Sequence, residues 1–203
     1  EMYTKRSIDR GDINLKKAVK GTYGYIHNKR NQVLVRTIIF FAISIAIFII
    51  GYVTTGTRKN LLTVVAVLGC LPACKSLVNL IMFFKAKGCS SHVMETIKPL
   101  EGHLIGMYDM FFTSYQKNFA ISHMIVEDKI ILAYTEEQNF DTTACREHLE
   151  AMLKQSGFKD MTITVSTDLN KYCEQLQKLN EKHQETDPVR DDEIRVILYD
   201  ISL

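Results

Sequence analysis

Charge is absent from residues 37–53 (TIIFFAISIAIFIIGYV), and residues 61–84 (LLTVVAVLGCLPACKSLVNLIMFF) contain one charged side chain, Lys75. Only the short polar stretch Thr54 to Asn60 separates the two. Cysteine offers no framework either. The chain has five cysteines, Cys70 and Cys74 in the second apolar run and Cys89, Cys145 and Cys173 scattered beyond it. An odd, irregular set excludes a disulfide scaffold and fits a reducing location. GxxxxGK[ST], GxSxG and HExxH do not occur, and Lys154-Gln155-Ser156-Gly157 reads as a helix end rather than a phosphate loop. His27, His92, His103, His123 and His183 have no HxxxH or CxxC partner. Cys145 and His148 share a helix face, but two ligands do not make a zinc site. No metal or cofactor is implied.

The apolar runs carry the strongest message. A hydrocarbon core of about 30 Å needs about 20 apolar residues in a helix, and backbone groups in lipid must be paired within the segment. The reading is a two-helix transmembrane hairpin over residues 33–86, with spans at about 37–53 and 61–84. A basic cytoplasmic segment, residues 1–32, precedes it, and a domain over residues 87–203 follows. The first run begins beyond residue 30, is too long for a signal peptide and is followed by no small-residue cleavage site.

Charge is divided unevenly. Residues 1–36 carry nine Lys/Arg against three Asp/Glu, whereas residues 85–203 carry thirteen against twenty. An acidic domain is a poor match for nucleic acid, whose binding rests on phosphate neutralisation. Lys29, Arg30 and Arg36 before the first span, backed by Lys16, Lys17 and Lys20, and Lys85 and Lys87 after the second, outnumber Arg58 and Lys59 in the turn. The positive-inside rule then places both termini in the cytoplasm of a cell-membrane protein.

The second span is the unusual one. Pro72 lacks a backbone donor and is expected to kink the helix. Leu61 to Ala73 is about 20 Å of helix, too short to cross, so the helix runs past Lys75 and leaves its ammonium near mid-span or about 13 Å above the cytoplasmic end. Such a charge costs at least about 2.5–3.5 kcal/mol. Lys75 either snorkels to the headgroups, or is accommodated by a tilted helix that thins the bilayer locally, or serves as a pore lining, a proton or anion site or a lipid-headgroup contact, with Asn79 one turn on along the same face. Cys70 and Cys74, at i and i+4, read as small packing residues. One hairpin hides a lysine poorly, which makes a homo-oligomer attractive.

Beyond Lys87 the pattern becomes globular. Ser90 or Ser91 caps a helix interrupted at Pro99. Tyr108 to Tyr115, Asn118 to Glu127 and Lys129 to Glu136 read as a three-stranded antiparallel meander. Asp141 or Thr142 caps a helix through about Gln155, stopped by Gly157. Met161 to Val165 alternates as a strand, and Asp168 caps a helix with Leu169, Tyr172, Cys173, Leu176 and Leu179 on one stripe. A last strand is expected at Glu193 to Tyr199. The expected fold is the membrane hairpin plus a cytoplasmic α/β domain with a mixed sheet, in the order α-β-β-β-α-β-α-β.

That order resembles the core of restriction-endonuclease-like enzymes in topology alone. It nominates Asp109, with Glu127 and Lys129 of an acid-x-Lys string, as holders of a catalytic metal. A charged β-turn at Glu127-Asp128-Lys129 accounts for the string more simply.

As strings, GTRKNLLTVVAVLGCLPACKSLVNLIMF, MYDMFFTSYQKNFAI and TDLNKYCEQLQKLN resemble a group of small uncharacterised membrane proteins of anaerobic Gram-positive bacteria, over about Gly24 to Glu181. The resemblance implies a bacterial inner membrane and supplies no activity, cofactor or site residue. The preferred function is an anchored interaction or sensing domain with a protein or small-ligand partner, more a binding module than an enzyme. A small homo-oligomeric channel or transporter and a membrane-tethered, metal-dependent nuclease or hydrolase are the alternatives.

Overall fold

The structure is a computed structural model that describes residues 19–57, 60–114, 117–182 and 187–203. Lys16, Lys17, Arg58, Lys59, Tyr115 and His183, which entered the charge, strand and metal-ligand readings, lie outside them.

Two long apolar helices, α1 (Tyr25–Thr55) and α2 (Leu61–Lys85), pack antiparallel as a hairpin. α1 starts well before its apolar run, inside the basic segment. Asn60 caps α2 by accepting the Thr63 amide at 2.7 Å and also donates to the Gly51 carbonyl at 2.8 Å, which ties the turn to both arms. The seam uses small residues as far as Ser76 and larger ones at the domain end. Ala66, Gly69, Ala73, Ser76, Leu80 and Phe83 of α2 recur at alternating steps of three and four, the spacing of a left-handed coiled coil. Opposite them lie Val33, Thr37, Ser44 and Gly51, buried on α1. A Cβ on Gly69 would stand 3.0 Å from Ser44 Oγ, so the close approach of the arms there depends on glycine. The hydroxyls of Thr37 and Ser76 share a buried hydrogen bond of 2.7 Å. Pro72 is accommodated inside a continuous helix. Both helices are long and apolar enough to cross a membrane, and only 17 % of the most apolar stretch of each is buried.

The remaining chain forms an α/β domain. A short helix α3 (Ser91–Ile97) runs into a 3-10 turn at Lys98–Leu100, where Pro99 ends it as expected. Strands β1 (Gly106–Thr113), β2 (Asn118–Glu127) and β3 (Ile130–Tyr134) form the antiparallel meander. β4 (Thr162–Ser166) joins β3 in parallel, giving a mixed sheet in the order β1-β2-β3-β4. Helix α4 (Thr142–Gln155), capped by Asp141, crosses between β3 and β4. Helix α5 (Leu169–Glu181), capped by Asp168, follows β4.

The final element differs from expectation. Glu193 to Tyr199 is not a strand but the body of helix α6 (Pro188–Ile201). Asp187 caps it, accepting the Val189 amide at 3.1 Å, and Pro188 occupies the first turn, where its missing N–H is harmless. Asp191, Ile194, Arg195 and Leu198 are buried at helical spacing, so packing overrides the strand preference of Val196, Ile197 and Tyr199. After α3 the observed order is therefore β-β-β-α-β-α-α.

The sheet has two differently used faces. One packs Met110, Phe112, Ile121, Met124 and Ile131 against Leu149 and Leu153 of α4 and Ile194 and Leu198 of α6. The other is split. Tyr108, Ile125, Leu132 and Tyr134 meet α3 and α5, while Phe111 and Ala120 meet the base of the hairpin through Tyr25, Ile26, Leu80 and Phe83. The split coincides with a slip in alternation. Met107, Met110 and Phe112 all face the first core, as do Phe119, Ile121, Met124 and Val126. Two successive residues in each strand, Tyr108-Asp109 and Ser122-His123, therefore turn to the other side. Among the described residues Asp109 alone has a positive φ within a strand without being glycine, at 55°. That is a costly conformation that aspartate tolerates better than most residues.

Candidate functional site

The slip aims Asp109 at the foot of the hairpin. Its side chain is buried, with 3 % of the residue exposed. One carboxylate oxygen accepts the Cys89 amide at 2.6 Å, and the other accepts the Ile26 amide at 3.4 Å. The Gly24 and Tyr25 amides also contribute, and burial pushes the Asp109 carboxyl above its ordinary range against the pull of these donors. Gly24, the residue that precedes α1, offers no side-chain cap of its own. Asp109 therefore supplies from a distant strand the negative group that the first amides of α1 require. The same carboxylate holds the segment that leaves α2, so one side chain pins both ends of the hairpin to the sheet.

Neighbouring contacts strengthen the joint. Glu136 accepts the Ser90 amide at 2.8 Å, and Ser122 Oγ accepts the Glu136 amide at 3.3 Å. The Tyr108 amide donates to Gly21 O at 2.8 Å, and the Leu203 amide donates to Phe111 O at 2.9 Å, so the outer edge of β1 is partly covered. Lys20 Nζ donates to Tyr199 O and Ser202 O at 2.8 Å each. Burial first, then Glu136 and Asp109, push the Cys89 thiol up to about 12, which leaves it protonated and a poor nucleophile.

Between the start of α1, the end of α2 and this joint opens a cleft of about 660 Å³. Tyr23, His27, Asn28, Arg30, Phe84 and Lys87 line it, with Gly88, Cys89 and Asp109 at its base. Arg30 Nη2 lies 3.0 Å from His27 Nδ1, and its guanidinium sits 5.4 Å from the centroid of the Phe84 ring. The cleft thus combines cations, an aromatic ring and a carboxylate already satisfied by amides.

A second polar cluster is fully internal. Glu101 accepts from Tyr108 Oη, from Lys98 Nζ at 2.7 Å and from His123 Nε2 at 3.1 Å. His123, with none of its surface exposed, meets Tyr172 Oη through Nδ1 at 2.6 Å. Burial holds the Tyr172 hydroxyl well above its usual range, so it donates and Nδ1 accepts, leaving the His123 proton on Nε2. Burial pushes Glu101 up, but hydrogen bonds from His123, Lys98 and Tyr108 outweigh it and hold the carboxyl down at about 2. Burial lowers the His123 pKa, so a neutral imidazole faces an ionised carboxylate. A Cβ on Gly106 would run into both Glu101 and His123, which explains the glycine there. This network ties α5, β1, β2 and the turn after α3 together.

The residues nominated from sequence fall in three places. Asp109 stands opposite Ser122 in the β1–β2 register, five residues from Glu127, or about 17 Å of extended strand. Glu127 ends β2 at the far side, 4.0 Å from His103, and Lys129 lies in the turn beyond it. The three do not converge. No group of three or more His, Cys, Asp or Glu side chains among the described residues is arranged to hold a metal. Pro72, Cys74 and Lys75 are exposed on the outer face of α2, with Cys70 and Asn79 partly covered. Since Thr37 and Ser76 are bonded across the seam, their neighbours Arg36 and Lys75 stand within about 3 Å of one level of the hairpin.

The chain matches no protein-family model, no curated protein and no solved structure.

The roles of Arg30 and of Asp109 as a clamp are not legible from motifs. Only the basic residues clustered before the first apolar run signalled the cleft.

Proposed function

We propose that this chain is an integral membrane protein whose hairpin spans the bilayer twice, with both termini in the cytoplasm, and that its α/β domain is a binding or sensing module held at the inner face. The resemblance noted above favours a bacterial inner membrane. The observation that carries the reading is the exposure of an apolar hairpin whose two ends are clamped to one domain. Exposed apolar stretches of this length in water are an association hazard, whereas lipid solvates them. Lys20, Lys29, Arg30, Arg36, Lys85 and Lys87 all lie at the domain end of the hairpin, which supports a cytoplasmic domain.

The depth of Lys75 fits this reading. It shares a level with Arg36, where the charge-free part of α1 begins, so it sits at a basic boundary layer rather than alone in hydrocarbon, and its long stem reaches the interface. From that layer to the turn, Thr37 to Thr55 spans about 27 Å of helix.

The test is accessibility in intact cells. Single cysteines at Thr57 and at Lys182, in a variant with the five native cysteines replaced, are treated with a membrane-impermeant maleimide. Labelling of position 57 in intact cells, and of position 182 only after lysis, is expected. Labelling of position 182 from outside, or release of the chain from membranes by alkaline carbonate, refutes the reading.

A further inference from the structure

We propose that the junction cleft binds the phosphate of an anionic phospholipid, with Arg30 as its main contact and Lys87 and His27 beside it. The proposal deepens the reading above and rests on it.

The cations of the cleft are unmatched. Among the described residues neither Arg30 nor Lys87 forms an ion pair with a carboxylate. Asp109, the carboxylate at the base of the cleft, is committed to backbone amides. Arg30 is nonetheless oriented into the cleft wall, its guanidinium 5.4 Å from the centroid of the Phe84 ring and 3.0 Å from His27 Nδ1. A positioned guanidinium without a carboxylate partner, in a cleft with a second cation, suits phosphate, which matches its fork of donors.

The base of the hairpin is also two-sided. Below the Arg36–Lys75 layer α1 carries Lys29 and Arg30, while α2 as far as Phe84 is apolar apart from Asn79 and exposes Leu77, Val78, Ile81 and Phe84. Phe84 is both the last exposed apolar residue of α2 and part of the cleft wall. An amphiphile fits that division. Its phosphate meets Arg30, about 9 Å of helix below the Arg36–Lys75 layer, and its acyl chains run up along Phe84, Ile81 and Val78 to enter the hydrocarbon above that layer. A volume of about 660 Å³ accommodates a headgroup with water. A free phosphate ion would use the cations and leave the apolar stripe without a role.

The experiment uses the full chain in dodecyl maltoside, with thermal unfolding followed by circular dichroism. Dioctanoyl phosphatidylglycerol, dioctanoyl phosphatidylcholine and inorganic phosphate are titrated at matched ionic strength. A saturable rise in Tm with phosphatidylglycerol alone is expected. Arg30→Gln with Lys87→Gln should weaken its midpoint at least tenfold, while Arg146→Gln with Lys154→Gln, a charge-matched change on α4, leaves it in place. Lys87→Gln alone, at an exposed site, provides a second variant should the double one fold poorly, and should weaken the midpoint severalfold. Equal responses to both lipids, or a phosphatidylglycerol response indifferent to either cleft variant, overturn the proposal. An equal response to inorganic phosphate would replace the lipid by a soluble phosphate. Failure of the maleimide pattern would remove the membrane reading itself, whereas a correct pattern without a lipid response would remove the ligand alone.

Discussion

Replacing Asp109 with asparagine keeps the shape of the side chain and its tolerance of left-handed backbone, and removes the charge together with one of its two acceptor oxygens. The Cys89 amide at 2.6 Å is the bond most affected, since a hydrogen bond to a charged group is worth about 1.5–3 kcal/mol against about 1 for a neutral one. An asparagine can present one oxygen, so its NH₂ faces another amide donor and leaves a buried N–H unpaired, at about 1–3 kcal/mol. Relief of the buried charge, whose pKa is already pushed up, works the other way. A net local loss of about 2 kcal/mol follows, or roughly a 30-fold drop in protection. Hydrogen exchange read by mass spectrometry in detergent should show it in peptides covering residues 24–28 and 88–91. Peptides from β2, which is paired on both sides, should be unchanged. Equal protection in both proteins, or a loss spread evenly over β2, would show that Asp109 does not pin the hairpin.

Two further outcomes concern the internal network. Gly106→Ala drives a methyl into Glu101 and His123 and should cost about 1–3 kcal/mol, seen as a lower denaturation midpoint at unchanged slope. Stability should also fall on acidification, in two windows. The folded His123 pKa lies below its unfolded value of 6.5, so the unfolded chain takes up the proton first and stability declines as pH drops below about 6.5. His148, lowered by burial as well, adds to that slope, and His123→Gln should flatten it without abolishing it. Glu101, held at about 2, adds a second decline as pH falls below about 4.5. The Asp109 carboxyl, raised by burial, contributes in the opposite sense, so the comparison is between proteins. A slope from pH 7 to 5 that is the same in His123→Gln as in the wild-type chain would refute the assignment of a neutral buried imidazole.

Local rules located most elements because the responsible residues are neighbours in the chain. Long apolar runs mark α1 and α2, the break at Glu127-Asp128 marks the β2–β3 turn, and Asp141 and Asp168 cap the helices that follow them. α6 was misread because Arg195 to Tyr199 is rich in residues favoured by strands, although Asp187-Pro188 is a helix-start signal. The joint was hidden for a different reason. Asp109 acts on Ile26 and Cys89, residues 83 and 20 positions away, through a backbone conformation that composition does not reveal. The level of Lys75 likewise depends on which α1 residue stands beside Ser76, and the Glu101–His123–Tyr172 contacts span 22 and 49 positions.

The clamp at Asp109 has a consequence for how any macromolecular partner meets the domain. A module on a single flexible tether sweeps a broad volume and samples many orientations, which dilutes its local concentration at any one target. Here the chain is fastened where α1 begins and again at Cys89, and Glu136 holds the next residue. Swivelling is suppressed, and the face built by α4 and α6 keeps a constant aspect to the hairpin. A partner confined to the same surface would need to diffuse in two dimensions and find one fixed orientation, which trades reach for a smaller entropic penalty on docking.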